Sequence, residues 1–423
     1  MFQKLKKKLV LSEFAGSAAI LFVSNITVAV FNYSIVILAG RILGNNYSLW
    51  TALNSIITIL MTINIGLYSN IMRTVARLYK QKDYEGIIKY YAWYRKVLGQ
   101  LVFVGLMLSP FLAYLINFGV SGASLIVSEL IVVFVFLNIL LGVQQNFLIG
   151  TLQNKTFAIS MVIANFMRLL ATGIILTTRH DLGALPLGLI ASTIMVELIS
   201  NYFWQKRKIE LTAQITNLDT STFVINSTIE VRGSIITIIS MVLLSSLLNI
   251  NPILIQNSNF SNTDKDLMAV LFNFGQIIHF ASIAGLTGLI AYCANSTNKR
   301  IYLLAIGLAT SVTAGVCVAF FVLGKYIFEV FGRAQYASQI NWIFLYAIFI
   351  AAYNIIYVSI QYLIAQRQFI QIWIALFGLT LIVLLNYLFG RDINSNFNIS
   401  IGVGLVTALL MMISVWRLKL KNS

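Results

Sequence analysis

Four ionisable residues stand inside long apolar stretches of this 423-residue chain: Arg168 in NFMRLLATG, Glu197 in STIMVELISN, Glu129 in IVSELIVV and His279 in FGQIIHFAS. In lipid, an arginine near the middle of such a stretch costs about 2.5–3.5 kcal/mol on insertion scales. A water-filled cavity, a carboxylate or an anionic ligand must offset that cost. Two readings of Arg168 follow: it lines a polar cavity, or it pairs structurally with Glu197 on the next stretch. Glu197, His279 and Glu129 are the candidates for proton or cation coupling, because each can change charge inside a site. The plainer readings are a neutral, hydrogen-bonded core histidine at 279 and a hydrated carboxylate near a stretch end at 129. Asn25 and Asn32, and Asn54 and Asn64, recur at seven and ten residues, roughly one helical face. They either line a cavity or hydrogen-bond between helices.

The inventory for covalent chemistry is thin. There is no Walker A loop, HExxH pair or nucleophile elbow, and only 2 histidines. The 2 cysteines, Cys293 and Cys317, lie in apolar segments without metal-ligand spacing, as small core residues do. The expectation is a protein that is not an enzyme and holds no cofactor and no metal.

The elements that must position these groups follow from composition. Hydrophobic residues make up 59% of the chain and charged residues 10%, too few charges to cover a water-facing surface. A span needs about 20 predominantly apolar residues. Twelve runs qualify, near 15–39, 47–72, 97–118, 123–149, 156–178, 183–203, 233–255, 267–292, 301–324, 338–364, 370–390 and 398–416. They are continuous rather than alternating, so helices and not barrel strands are predicted. The lysine-rich N-terminus, MFQKLKKKLVLSEF, leads into a run too long for a signal peptide, so it reads as an uncleaved first helix.

The net charge of +16 invites a nucleic-acid reading, but the basic residues cluster at the ends of apolar runs. With the N-terminus cytoplasmic and alternating spans, the outside connections hold Arg41, Arg179, Lys265, Lys325, Arg333 and Arg391. Arg168 is within a span, and the other 22 of the 29 basic residues fall inside. That asymmetry places both termini in the cytoplasm. A long cytoplasmic connection at 204–232 splits the spans six and six, which predicts an N-terminal lobe, 1–215, and a C-terminal lobe, 216–423. The fold class expected is an all-α polytopic membrane protein of about twelve spans in two six-helix bundles around a central cavity.

Two stretches carry a family resemblance. The first, AGRILGNNYSLWTALNSIITILMTINIGLYSNIMRTVAR, closes one span with Gly40, Arg41 and Gly44 and opens the next with Tyr47. Asn64 stands near Gly66-Leu67, and Arg73 and Arg77 follow. The second, FGRAQYASQINWIFLYAIFIAAYNIIYVSIQYLIAQRQ, supplies Phe331, Gly332, Tyr336, Leu363, Ala365 and Arg367. Together with span count and orientation, these motifs resemble polysaccharide flippases, the Wzx type, of the multidrug/oligosaccharidyl-lipid/polysaccharide exporter superfamily.

The resemblance implies alternating access by two lobes and a cargo of undecaprenyl-diphosphate-linked oligosaccharide, as in O-antigen or capsule assembly. It also implies a place in the bacterial inner membrane, among membrane lipids, beside the polysaccharide polymerase and chain-length machinery. Under it, Arg168, Arg41, Arg73, Asn32 and Asn64 are the substrate-binding candidates, with the arginines meeting the diphosphate. A small-molecule or drug antiporter of the same superfamily is the alternative, and it would want an acidic cavity. A membrane O-antigen polymerase would need a large outside loop. The longest outside loop, around 256–266, is short and polar.

Overall fold

The computed structural model describes residues 2–215, 227–284, 299–366 and 368–417. Thirteen helices fill those segments: α1 (Phe2–Ile42), α2 (Tyr47–Lys80), α3 (Tyr84–Met107), α4 (Ser109–Gly119), α5 (Leu125–Gly150), α6 (Asn154–Arg179), α7 (Ala184–Thr212), α8 (Ser227–Asn257), α9 (Asn262–Ala284), α10 (Lys299–Val330), α11 (Trp342–Ala365), α12 (Ile370–Phe389) and α13 (Ile393–Arg417). Short 3₁₀ turns at Gly44–Asn46 and Ala334–Gln339 precede α2 and α11. No strand occurs among the described residues.

Among these residues eleven helices are long and apolar enough to cross a membrane, and twelve if the pair Tyr84–Met107 and Ser109–Gly119 counts as one bent span. That matches the twelve runs in number. The pair is bent by 60°. Pro110 explains the break, because it has no N–H to offer the carbonyl of Leu106. The eighth run, 267–292, passes into residues that are not described after Ala284, and Cys293 and Arg367 also lie outside the described residues. The surface confirms a lipid environment: Phe118 is 82% exposed and Tyr387 86%, among many apolar side chains turned outward. This is a multi-pass membrane protein.

The chain packs as two compact units. The first comprises Met1–Ile42, Asn64–Ile116 and Ser124–Ser234; the second comprises Leu43–Ile63, Asn117–Ala123 and Ile235–Ser423. Helix α2 therefore belongs to both, changing unit between Ile63 and Asn64.

In the first unit α6 packs on α1 and α7, and α5 on α3 and α7. A core of Ile71, Val75, Leu78, Ile87, Tyr90, Leu98, Phe147 and Trp204 joins α2, α3, α5 and α7. Close approach of α6 and α7 depends on Gly188, where an added Cβ would sit 2.5 Å from the Thr172 Cα. In the second unit α11 is central, packed on α9, α10 and α13, with α12 outside α13.

The starts of α3 and α5 are capped by short polar side chains. The Gly86 amide donates to Asp83 at 2.7 Å and the Val127 amide to Ser124 at 3.2 Å. The cap at Asp83 starts α3 a dozen residues before the apolar run begins, so most of the connection expected at 73–96 is helix.

Candidate functional site

Arg168 projects from α6 with its Nε buried and without a hydrogen-bond partner. It makes no ion pair among the described residues. Its level in the first unit follows from two contacts between α1 and α6. Phe31 packs on Phe166 with ring centroids 5.6 Å apart, and Leu38 lies 3.8 Å from where a Gly173 Cβ would be. Both pairs are offset by the same number of residues, so Tyr33 stands level with Arg168, and its buried hydroxyl also lacks a partner. Asn32, the neighbour of Tyr33, is half-buried on α1. A cation and a hydroxyl thus share one depth, each with unmet capacity to donate a hydrogen bond. Donors without acceptors inside an apolar shell are suited to an anion.

Glu197 does not neutralise Arg168. On the antiparallel pair α6 and α7, Gly188 faces Thr172, and Ala164 clusters with Val196. That register puts Glu197 level with Ile163, about 7 Å along the axis from Arg168. Glu197 instead accepts from the Arg95 Nη1 at 2.8 Å and from the Gln144 Nε2 at 2.7 Å, both on its Oε1. The Oε2 of Glu197 and the Oε1 of Gln144 are buried and unpartnered.

Arg95 belongs to this cluster although charge counting assigned it to a cytoplasmic connection. The signal that could have found it is the helical spacing of Ile87, Tyr90, Tyr94 and Leu98, all buried in the structure. That apolar face brings the first half of α3 against α5 and α7, and Arg95 with it.

His279 lies in the second unit, buried in a neutral network. Its Nδ1 is 2.5 Å from the Asn354 Oδ1, the Asn354 Nδ2 donates to the Thr313 Oγ1 at 3.0 Å, and Thr313 meets the Ser282 hydroxyl at 2.9 Å. Because the Asn354 amide nitrogen is committed to Thr313, its oxygen must accept, and the histidine proton is on Nδ1. Tyr353 meets the ring edge-on at 4.9 Å. The network contains no carboxylate.

The remaining candidates are scattered. Glu129 is half-buried in α5 and makes no ion pair among the described residues. Asn64 is buried in the first unit at the change of unit in α2; Asn54 is half-buried in the second; Asn25 is exposed. Arg41 is exposed in the last turn of α1. The side chain of Arg73 lies outside the described ones.

The motif residues converge elsewhere. Within the second unit the Arg333 Nε is 2.6 Å from the Asp266 Oδ2. The Arg333 Nη2 donates to the Gly44 carbonyl at 2.9 Å, and the guanidinium lies over the Tyr47 ring at 5.4 Å. The Tyr336 hydroxyl donates to the same Asp266 oxygen at 3.0 Å, and Asn273 donates to the Tyr47 hydroxyl at 2.8 Å. Burial beside Asp266 pushes the Tyr336 hydroxyl up to about 12. Gly44, Tyr47 and Tyr336 come from the two stretches that carry the family resemblance; Arg333 was legible only as a charge, and Asp266 lies outside both stretches.

No protein-family model matches the sequence, and no curated protein matches it. Solved structures do resemble it. One is a MOP superfamily transporter from Pyrococcus furiosus whose binding pocket is described as of reverse polarity: 12% identity over 94% of this chain and 93% of that one, TM-score 0.69. A second is a multidrug resistance MATE family transporter of the MOP superfamily, facing inward: 14% identity, 94% and 96% covered, TM-score 0.69. A third is the lipid II flippase MurJ in an inward closed conformation: 13% identity, 95% and 88% covered, TM-score 0.66. At these identities the likeness defines the fold: this chain has the architecture of the MOP superfamily transporters, which in its MATE-like members is two six-helix bundles.

Proposed function

We propose that this chain is a flippase that carries an oligosaccharide linked to undecaprenyl diphosphate across the bacterial inner membrane by alternating access. The residue spans 1–215 and 216–423 serve as its two lobes. The observation that carries the reading is Arg168: a half-buried cation of the first unit whose buried Nε has no partner and which has no carboxylate among the described residues, level with an unpartnered Tyr33 hydroxyl. A headgroup diphosphate supplies the missing acceptors, while its lipid tail remains in the bilayer. Neither the diphosphate nor the glycan crosses about 30 Å of hydrocarbon unaided. Two of the similar structures support the same direction, one as a lipid II flippase and one because its binding pocket is of reverse polarity. Asn32 and Asn64 are the candidates for glycan hydroxyls, and Arg41 and Arg73 for the headgroup at the two mouths. The surface-glycan polymerase and chain-length machinery are the natural recipients of the product.

Glu197 favours a second element, coupling to an ion. Its free Oε2 and the free Gln144 Oε1 are two buried acceptors without a donor, which suits a proton or a small cation. The same observation is what a cation-exchanging drug antiporter would present. Purified protein in vesicles separates the two. Movement of a diphosphate-linked glycan without movement of cationic dyes supports the flippase; dye transport with no glycan transport replaces it with the antiporter.

A further inference from the structure

Helix α2 is held at each end by a buried arginine lying over a tyrosine ring, but the two holds differ in construction. At the end near Lys80, Arg207 of α7 lies 5.5 Å over the Tyr79 ring, donates to its hydroxyl at 3.0 Å and to the Thr151 carbonyl at 3.4 Å, and like Arg333 keeps a buried, unpartnered Nε. Its carboxylate partner is Glu210, three residues away on the same helix at 2.7 Å and 47% exposed. Ile71, Val75 and Leu78 bury this half of α2 in the apolar core of the first unit.

At the Tyr47 end the guanidinium of Arg333 joins three separate elements. It reaches Asp266 on α9, the carbonyl of Gly44 and the ring of Tyr47. Two glycines make this geometry. Gly44 at φ +53° turns its carbonyl toward Arg333, and Gly332 at φ +70° sets the turn from which Arg333 projects. The Arg333 and Asp266 side chains are only 9% and 12% exposed. The pair is nonetheless imperfectly satisfied: the Nε is close to Asp266 but misaligned for a hydrogen bond, and the Asp266 Oδ1 is buried without a partner. In a buried pair of this kind, desolvation offsets most of the attraction, so closed and hydrated states differ little in free energy. Such a contact is suited to release.

Between the two holds α2 has a weak point. The hydroxyls of Thr51, Ser55 and Thr58 bond back to carbonyls one turn earlier, as Thr62 does to Ile59, which loosens and bends helices. The change of unit at Ile63 and Asn64 follows directly, and Gly66 comes two residues later.

We propose that Arg333 and Asp266 form a releasable latch on the outer half of α2, with the inner half as a fixed anchor and residues 62–66 as the hinge. Opening the latch frees Leu43–Ile63 from the second unit while Asn64–Lys80 stays in the core of the first. The latch operates whatever the cargo, so it stands or falls apart from the flippase reading.

The test uses the full chain in lipid vesicles with Cys293 and Cys317 replaced by serine. Thiol-labelling rates are read at Thr51→Cys, buried one turn along from Tyr47, and at Val75→Cys in the anchored half. Arg333→Gln and Asp266→Asn should each raise labelling at 51 by about tenfold or more and leave 75 unchanged. Arg207→Gln should leave 51 unchanged. The latch is overturned if 51 remains protected in both variants, if 51 and 75 rise together, or if Arg207→Gln exposes 51 equally.

Discussion

The two units hold different kinds of polar group within their helices. In the first, two half-buried charged side chains and a buried amide are incompletely satisfied: Arg168 keeps an unpartnered Nε, Glu197 an unpartnered Oε2 and Gln144 an unpartnered Oε1. In the second, His279, Asn354, Thr313 and Ser282 form a neutral chain in which each side chain answers another. Its one buried ion pair among the described residues, Arg333 with Asp266, is in the motif cluster beside Gly44 and keeps an unpartnered Nε and Oδ1 of its own. Unmet hydrogen-bonding capacity is costly inside lipid and is retained where a ligand completes it. On the function proposed above, recognition and coupling belong to the first unit and framework to the second.

Replacing Arg168 should break that contrast most severely. Arg168→Ala is expected to reduce surface glycan export by about 10- to 100-fold, the loss of one charge-assisted contact, with the protein still present in the membrane. Normal export at native expression would remove Arg168 from the site. Glu197→Gln comes next. It leaves Arg95 without its carboxylate and is expected to slow transport about tenfold and flatten its dependence on the ion gradient. If the gradient dependence survives unchanged, Glu197 is a structural partner of Arg95 and coupling lies elsewhere.

Within the second unit effects should be smaller. His279→Gln keeps a donor for Asn354 and should hold transport within about twofold, at a stability cost of about 1 kcal/mol in thermal unfolding. A collapse of transport with intact folding would shift coupling to His279 and reverse the assignment of the two units.

The smallest effect is at Asp392, at the start of α13. Its Oδ1 accepts from the Ser395 amide at 2.7 Å, and bonds from Ser395 hold the carboxyl below its ordinary range. A depressed folded value means this contribution is complete above the unfolded carboxylate value and disappears as pH falls through the folded one. Asp392→Ala should therefore lower Tm slightly at neutral pH, with wild type and variant converging in acid. A deficit that persists in acid would deny the cap.

Much of the architecture was legible in the chain because lipid imposes a simple code. Span count and charge asymmetry follow from hydrophobic thickness and from Lys and Arg placement, which needs no knowledge of packing. The 60° bend at Pro110 was not read from the sequence, where 97–118 stood as one continuous run. Pairings were not legible. Glu197 finds Arg95, 102 residues away, and not Arg168 on the adjacent helix, because the register of α6 and α7 offsets the latter pair along the axis. Arg333 reaches Gly44 across 289 residues. The motif glycines and tyrosines could be picked out, but that they close around one ion pair depends on three elements meeting in space.

The most direct measurement is the affinity of the purified protein for glycan carried on a lipid diphosphate against the same glycan on a lipid monophosphate, in wild type and in Arg168→Gln. The account predicts tighter binding of the diphosphate by wild type and loss of that preference in the variant. Equal affinities for both lipids in wild type, or an undiminished preference in Arg168→Gln, would contradict it.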